Sequence, residues 1–138
     1  MYPGYLDVTD KGVWPMKCDV YAKNCPSRMI LDRISNKWSM LILNRLRVET
    51  VRFNQLRREI DGISQKVLSQ TLKNLERDGL IRREAFLTVP VTVEYSITDL
   101  GRTLSDTVHI VTHWAEEHYD AVVEAQKTFD ERNSTLAL

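Results

Sequence analysis

"GISQKVLSQTLKNLERDGLI", residues 62–81, decides how the chain is read. Ser64 stands where a helix N-cap belongs, because its hydroxyl can accept an early backbone N–H. Gly79 stands where a helix stops, because glycine tolerates the left-handed turn that ends one. Turning about 100° per residue from Val67 places Val67, Leu68, Thr71, Leu72 and Leu75 within one arc of about 140°, the expected core face. Lys66, Ser69, Gln70, Lys73 and Arg77 share the opposite stripe, with Glu76 beside it. The first turn carries Gln65 and Lys66 and no acid, while Glu76 and Asp78 sit at the far end. A helix macrodipole favours the reverse order. A positive end without an acid can receive a phosphate, and hydroxyl, amide and ammonium groups donate to phosphates and base edges. Any solvated helix can carry such residues, so the neighbouring segments must decide.

Upstream, "VRFNQLRREI" (51–60) reads as a short extended piece followed by a helix from about Asn54, ended near Gly62. Before it, "NCPSRMILDRISNKWSMLILNRL" (24–46) has helical periodicity in Met29, Ile30 and Ile34, then in Met40, Leu41, Leu43 and Leu46. Pro26 suits a first helical position, which makes Cys25 the expected N-cap, and Asn36 breaks the run into two helices. The helix from about Asn54, the helix capped by Ser64 and the connection of about three residues between them form a helix-turn-helix.

Downstream the period changes to two. Val91, Val93, Tyr95 and Ile97 mirror Ile81, Arg83, Ala85 and Leu87 across a turn at 88–91 that Pro90 fits. Thr98 can cap a last helix running to about Phe129, with Leu104, Val108, Val111, Trp114 and Ala115 on one broad apolar face. The expected fold is α+β and mainly α. It is a winged helix-turn-helix with a two-stranded β-hairpin wing and a long C-terminal dimerisation helix. The expected division is an irregular arm over 1–24, the winged-helix domain with its dimerisation helices over 25–129, and a flexible tail over 130–138.

The 138 residues carry no net charge, but the charge is unevenly placed. Residues 44–83 hold ten cations and five anions, whereas residues 84–138 hold three cations and ten anions. A basic middle and an acidic end suggest a polyanion-binding face apart from an assembly region. No signal-peptide pattern and no apolar run near the roughly 20 residues of a membrane span is visible, so the expected address is cytoplasmic, with no membrane partner. Two cysteines, Cys18 and Cys25, make neither a disulfide framework nor a zinc site and are expected to rest as thiols.

The run "CP…NKW…RFNQLRREIDGIS…VL…L…LERDGLI…VPVTVEYSITDLG…W", spanning about 25–114, resembles the HxlR-type winged helix-turn-helix transcription regulators. The order and spacing of Lys37-Trp38, Arg52-Phe53, Gly62-Ile63-Ser64, Asp78-Gly79-Leu80, Pro90, Glu94-Tyr95-Ser96 and Leu100-Gly101 carry the likeness. It implies a homodimer, expected to be a repressor, on a pseudo-palindromic operator in double-stranded DNA. The helix after Ser64 would enter the major groove, the wing would touch beside it, and the first and last helices would make the dimer. It also implies a small electrophile, quinone or oxidant effector sensed by a cysteine near the start of the first helix, the position of Cys25. Two departures stand out. Ser35-Asn36 replaces the glycines that commonly precede Lys-Trp, and the preceding arm is longer and contains Cys18.

The expected DNA-binding residues are Ser64, Gln65, Lys66, Ser69, Gln70 and Lys73, with Arg52, Asn54, Arg58 and Arg82 on neighbouring elements; Arg57, Arg83 and the 89–92 turn are further candidates. Cys25 at a helix N-cap, with Arg28 a turn later, is in a setting that lowers a thiol pKa, and Cys18 is the candidate second redox residue. His109, His113 and Glu117 share a helix face, but a solvated or interface role is expected rather than a metal site. No cofactor, metal or catalytic residue is expected. The alternatives are a winged-helix protein-interaction module without specific DNA binding, which calls for mixed charge on the 64–79 helix, and a thiol enzyme, which lacks a base near Cys25 in sequence.

Overall fold

A computed structural model describes residues 20–136, which contain five helices and three strands. The chain divides into two compact units, Met1–Asn36 and Lys37–Leu138, and each is taken by itself. In the first unit α1 spans Pro26–Ile34, with Cys25 in extended conformation at its N-cap and Pro26 at its first position. The Ser35 N–H closes the helix on the Leu31 carbonyl at 3.0 Å. No residue of α1 is buried, and Met29, Ile30 and Leu31 are exposed.

The second unit runs α2 (Lys37–Leu46), β1 (Val51–Arg52), α3 (Phe53–Glu59), α4 (Gln65–Arg77), β2 (Ile81–Phe86), β3 (Thr92–Ile97) and α5 (Asp99–Leu136). Its core consists of Ile42, Leu43 and Leu46 of α2, Leu56 of α3, and Leu68, Leu72 and Leu75 of α4, closed by Val51, Ile81 and Tyr95 from the sheet. Burying each aliphatic side chain contributes roughly 1.5–3 kcal/mol. The expected inner face of α4 is therefore observed, except that Val67 lies at its edge and is exposed.

The hairpin pairs Ile81 with Ile97, Arg83 with Tyr95 and Ala85 with Val93, the register that the alternation predicts. One strand more is present than the expected two. The short extended piece β1 pairs antiparallel with β3, Val51 opposite Tyr95 and Arg52 opposite Glu94, giving the order β1-β3-β2. Two residues are too few to show a period, so their pairing is not visible from sequence. The paired strands also stop at Phe86 and Thr92, which leaves Leu87 and Val91 in the connecting loop rather than in strands.

Helix α5 runs to Leu136, which corrects the expected end near Phe129. No glycine or proline follows Gly101 to stop it. Of its 38 residues only Gly101, Ser105 and Val108 are buried, all within its first three turns. Among the described residues no helix is long and apolar enough to cross a membrane.

One junction joins α4, the wing and α5. Gly79 takes φ +76° after the α4 C-cap Asp78, and the Leu80 N–H returns to the Leu75 carbonyl at 3.0 Å. Thr98 donates its hydroxyl to the Gly79 carbonyl at 2.6 Å, and its N–H binds the Leu80 carbonyl at 3.2 Å. The same hydroxyl oxygen accepts the Gly101 N–H at 3.0 Å and so caps α5, as the sequence predicts. A Cβ on Gly101 would lie 1.9 Å from the Leu80 carbonyl oxygen and 2.9 Å from Ile97 Cγ1. Backbone cannot yield as a flexible side-chain tip does, so Gly101→Ala should destabilise the fold by more than about 2 kcal/mol. A urea midpoint equal to that of the parent would refute the close packing.

Candidate nucleic-acid interface

Helix α4 starts at Ser64, whose Oγ accepts the Val67 N–H at 3.1 Å. That bond satisfies one of the orphan donors of the first turn and leaves the Gln65 and Lys66 N–H groups pointing out of the helix end. The first turn contains no acid. Ser64, Gln65, Lys66, Ser69, Gln70 and Lys73 are all exposed, as are Asn54 and Arg58 on α3, Arg52 at its start and Arg82 on β2. All ten expected contact residues thus lie on the surface of one unit.

They are not equally available. Lys66, Lys73 and Arg82 form no ion pair among the described residues. Arg52 pairs with Glu94 at 3.4 Å across the β1–β3 register. Gln65 accepts from Arg57 Nη1 at 3.4 Å, so Arg57 steadies the first turn of α4. Gln70 donates to Asn74 at 3.1 Å. Arg83 stands opposite Tyr95 in the β2–β3 register. Burial pushes the Tyr95 hydroxyl above its ordinary pKa, and Arg83 opposes that shift. Arg52, Asn54 and Arg58 share a groove with 90–94 of the wing, which sets the cations of α3 beside the hairpin.

A second set of charges holds the helices that present α4. Arg45 of α2 binds Glu59 at the end of α3 and Glu49 at 2.8 Å, and Gln55 also donates to Glu59 at 2.9 Å. Sequence reasoning counted Arg45 only as part of the basic middle; the Arg45–Glu49 spacing of four was the one visible signal, and the Glu59 contact is tertiary. The hydrogen bonds from Arg45, then from Gln55, hold the Glu59 carboxyl below the usual carboxylate range. The same pairing raises the Arg45 guanidinium further. Arg47 reaches Asp106 of α5 at 2.9 Å.

Cys25 is disulfide-bonded, not a thiol, and the expectation of two resting thiols is corrected accordingly. The chain's other cysteine, Cys18, lies outside the described residues. Cys25 is buried and makes no side-chain cap bond, while Arg28 donates to the Tyr21 carbonyl at 3.1 Å. On α5, His113 meets Glu117 at 3.1 Å, His109 meets Asn44 of α2 at 3.2 Å, and His118 stacks on Trp114. Among the described residues no group of three or more His, Cys, Asp or Glu side chains is placed to hold a metal. Trp38 is half-buried, its ring edge 3.9 Å from where a Cβ on Gly62 would sit, whereas Trp114 is exposed.

The family model for the HxlR-like helix-turn-helix matches residues 33–123. The chain belongs to that family. It is 42% identical over 114 residues to the HTH-type transcriptional regulator YtfH of Escherichia coli K12, covering 83% of this chain and 88% of the relative. Among solved structures, the ytfH regulator of Salmonella typhimurium superposes with a TM-score of 0.77 at 40% identity, covering 80% of this chain and 99% of that one. The redox regulator HypR in its oxidized form superposes with a TM-score of 0.62 at 39% identity, covering 67% of this chain and 96% of that one. This HxlR-type protein is therefore a helix-turn-helix transcriptional regulator with the winged fold that its sequence implies.

The Glu59 site makes a prediction about acid stability. A carboxyl with a depressed folded pKa contributes stability above its unfolded pKa and loses it as pH falls through the folded value. Glu59→Gln should therefore lower stability modestly at neutral pH, the pair being exposed, and flatten the fall between about pH 5 and pH 3, so that parent and variant converge in acid. Urea midpoints across that range check it, and parallel profiles for parent and variant would contradict it.

Proposed function

We propose that this HxlR-type regulator binds a pseudo-palindromic operator in double-stranded DNA as a homodimer, and that it represses. The observation that carries the reading is the exposed, acid-free stripe of α4. Lys66 and the open N–H groups of the first turn meet a phosphate, Ser69, Gln70 and Lys73 face base edges, and Ser64 and Gln65 hold the entry. Asn54, Arg58 and Arg82 hold flanking phosphates, and Arg52 joins them when it exchanges Glu94 for DNA. A protein-interaction module would need mixed charge on that stripe, which α4 does not have.

Exposed Ile110, Val111, Trp114, Val122 and Phe129 on α5, and Met29 and Ile30 on α1, supply apolar surface for the dimer. Cys25 serves as the redox residue and Cys18 as its partner, with an oxidant or electrophile as effector. The disulfide at Cys25 and the likeness to a redox regulator both support this reading.

A gel-shift series over the DNA upstream of the protein's own gene tests the reading, with reductant and then with diamide. Absence of any salt-sensitive, sequence-specific shift would refute operator binding. Lys66→Ala should weaken binding to all duplexes alike and reduce the slope of log K against log salt by about one. Cys25→Ser should retain binding and lose its response to diamide. Unchanged diamide sensitivity would remove the switch and leave the DNA-binding assignment standing.

A further inference from the structure

The tip of the wing has the wrong chemistry for a phosphate contact. Between Glu84 and Glu94 the sequence AFLTVPVTV contains no charged residue. Those two acids face each other in the β2–β3 register, and Glu94 already holds Arg52. A solvent-exposed loop ordinarily favours Gly, Asn, Asp and Ser. Here Leu87 and Val89 are almost wholly exposed, at 93% and 103%, and Val91 and Phe86 are also exposed.

The loop is held at its base. Strand pairing continues to Phe86 opposite Thr92, and Thr88 Oγ1 donates to the Pro90 carbonyl across the tip at 2.8 Å. Apolar side chains are therefore presented on a short, braced projection with no internal surface to cover them. Exposed apolar surface of this kind marks a contact.

The surroundings indicate what covers it. Asn54, Arg58 and Arg52 line one groove together with Pro90, Val91 and Thr92, so cationic and amide groups stand directly beside the apolar knob. An apolar projection flanked by cations fits a duplex. The cations take phosphates, and the apolar side chains press between base pairs from the minor groove, where no charge is needed.

We propose that the wing tip, Leu87 and Val89 foremost, is an apolar wedge that enters the minor groove beside α4, partly unstacks a base step and bends the bound DNA. This rests on the reading of α4 as the DNA-contacting helix. It predicts that the site favours an easily unstacked pyrimidine–purine step at the wedge position.

The test uses the full-length protein and the shortest upstream duplex that it retards, labelled at both ends for energy transfer. Binding of the parent should shorten the end-to-end distance. The double variant Leu87→Ser, Val89→Ser should bind about tenfold more weakly, leave the duplex straight, and keep the salt slope of the parent, since no charge changes. Its thermal melting should match the parent, because both side chains are solvent-exposed. Parent binding without bending, or a double variant that binds and bends as the parent does, overturns the wedge while α4 recognition stands. Failure of the parent to retard any duplex overturns both. Flotation of the parent with vesicles containing anionic lipid, lost in the double variant while DNA bending persists, would give the tip to a lipid surface and also overturn the wedge.

Discussion

Everything the second unit presents outward depends on the close approach of Gly101 to the Leu80 carbonyl. Leu80 leaves the end of α4, Thr98 ends β3 and Gly101 begins α5. Their backbones touch because one side chain is missing and one hydroxyl bridges both sides. Thr98 donates to Gly79 and accepts from Gly101, so one oxygen fixes the exit of α4 and the entry of α5. The wing is the chain that runs between them. Its direction is thereby tied to α4 through hydrogen bonds of 2.6–3.2 Å rather than through flexible side chains.

That rigidity explains how α4 can dispense with acids at its positive end. An acid in the first turn would stabilise the helix by a few tenths of a kcal/mol to about 1 kcal/mol. The core face of α4 buries Leu68, Leu72 and Leu75 completely, a contribution several times larger. Tertiary packing secures the helix, and its first turn needs no acid. Ser64 supplies the single cap that this arrangement allows without occupying the remaining donors.

The periodic parts of the fold were legible in the sequence. Pro26, Ser64, Gly79 and Thr98 mark helix ends by local chemistry that needs no distant partner, and the alternation through Tyr95 set the hairpin register. What the sequence hid was tertiary. The pairing of Val51 with Tyr95 joins residues more than forty positions apart, and two residues carry no period of their own. Arg45 with Glu59 and Arg52 with Glu94 divert two arginines of the basic middle into structural bonds. Residue type showed that these groups were cationic, but only geometry showed which were already engaged. The end of α5 was misread because apolar periodicity fades before the helix does.

Helix α5 is about 57 Å long at 1.5 Å per residue. Its anchored part is the first three turns; beyond them its amides rely on intrahelical bonds alone. Isolated helical segments in water are marginal, so that length opens locally far more readily than the core. Amide hydrogen exchange along α5 should then form a gradient, slow near Ser105 and fast toward Leu136 in a lone chain. Association would flatten that gradient, which makes the far half of one helix an internal gauge of how many copies are joined.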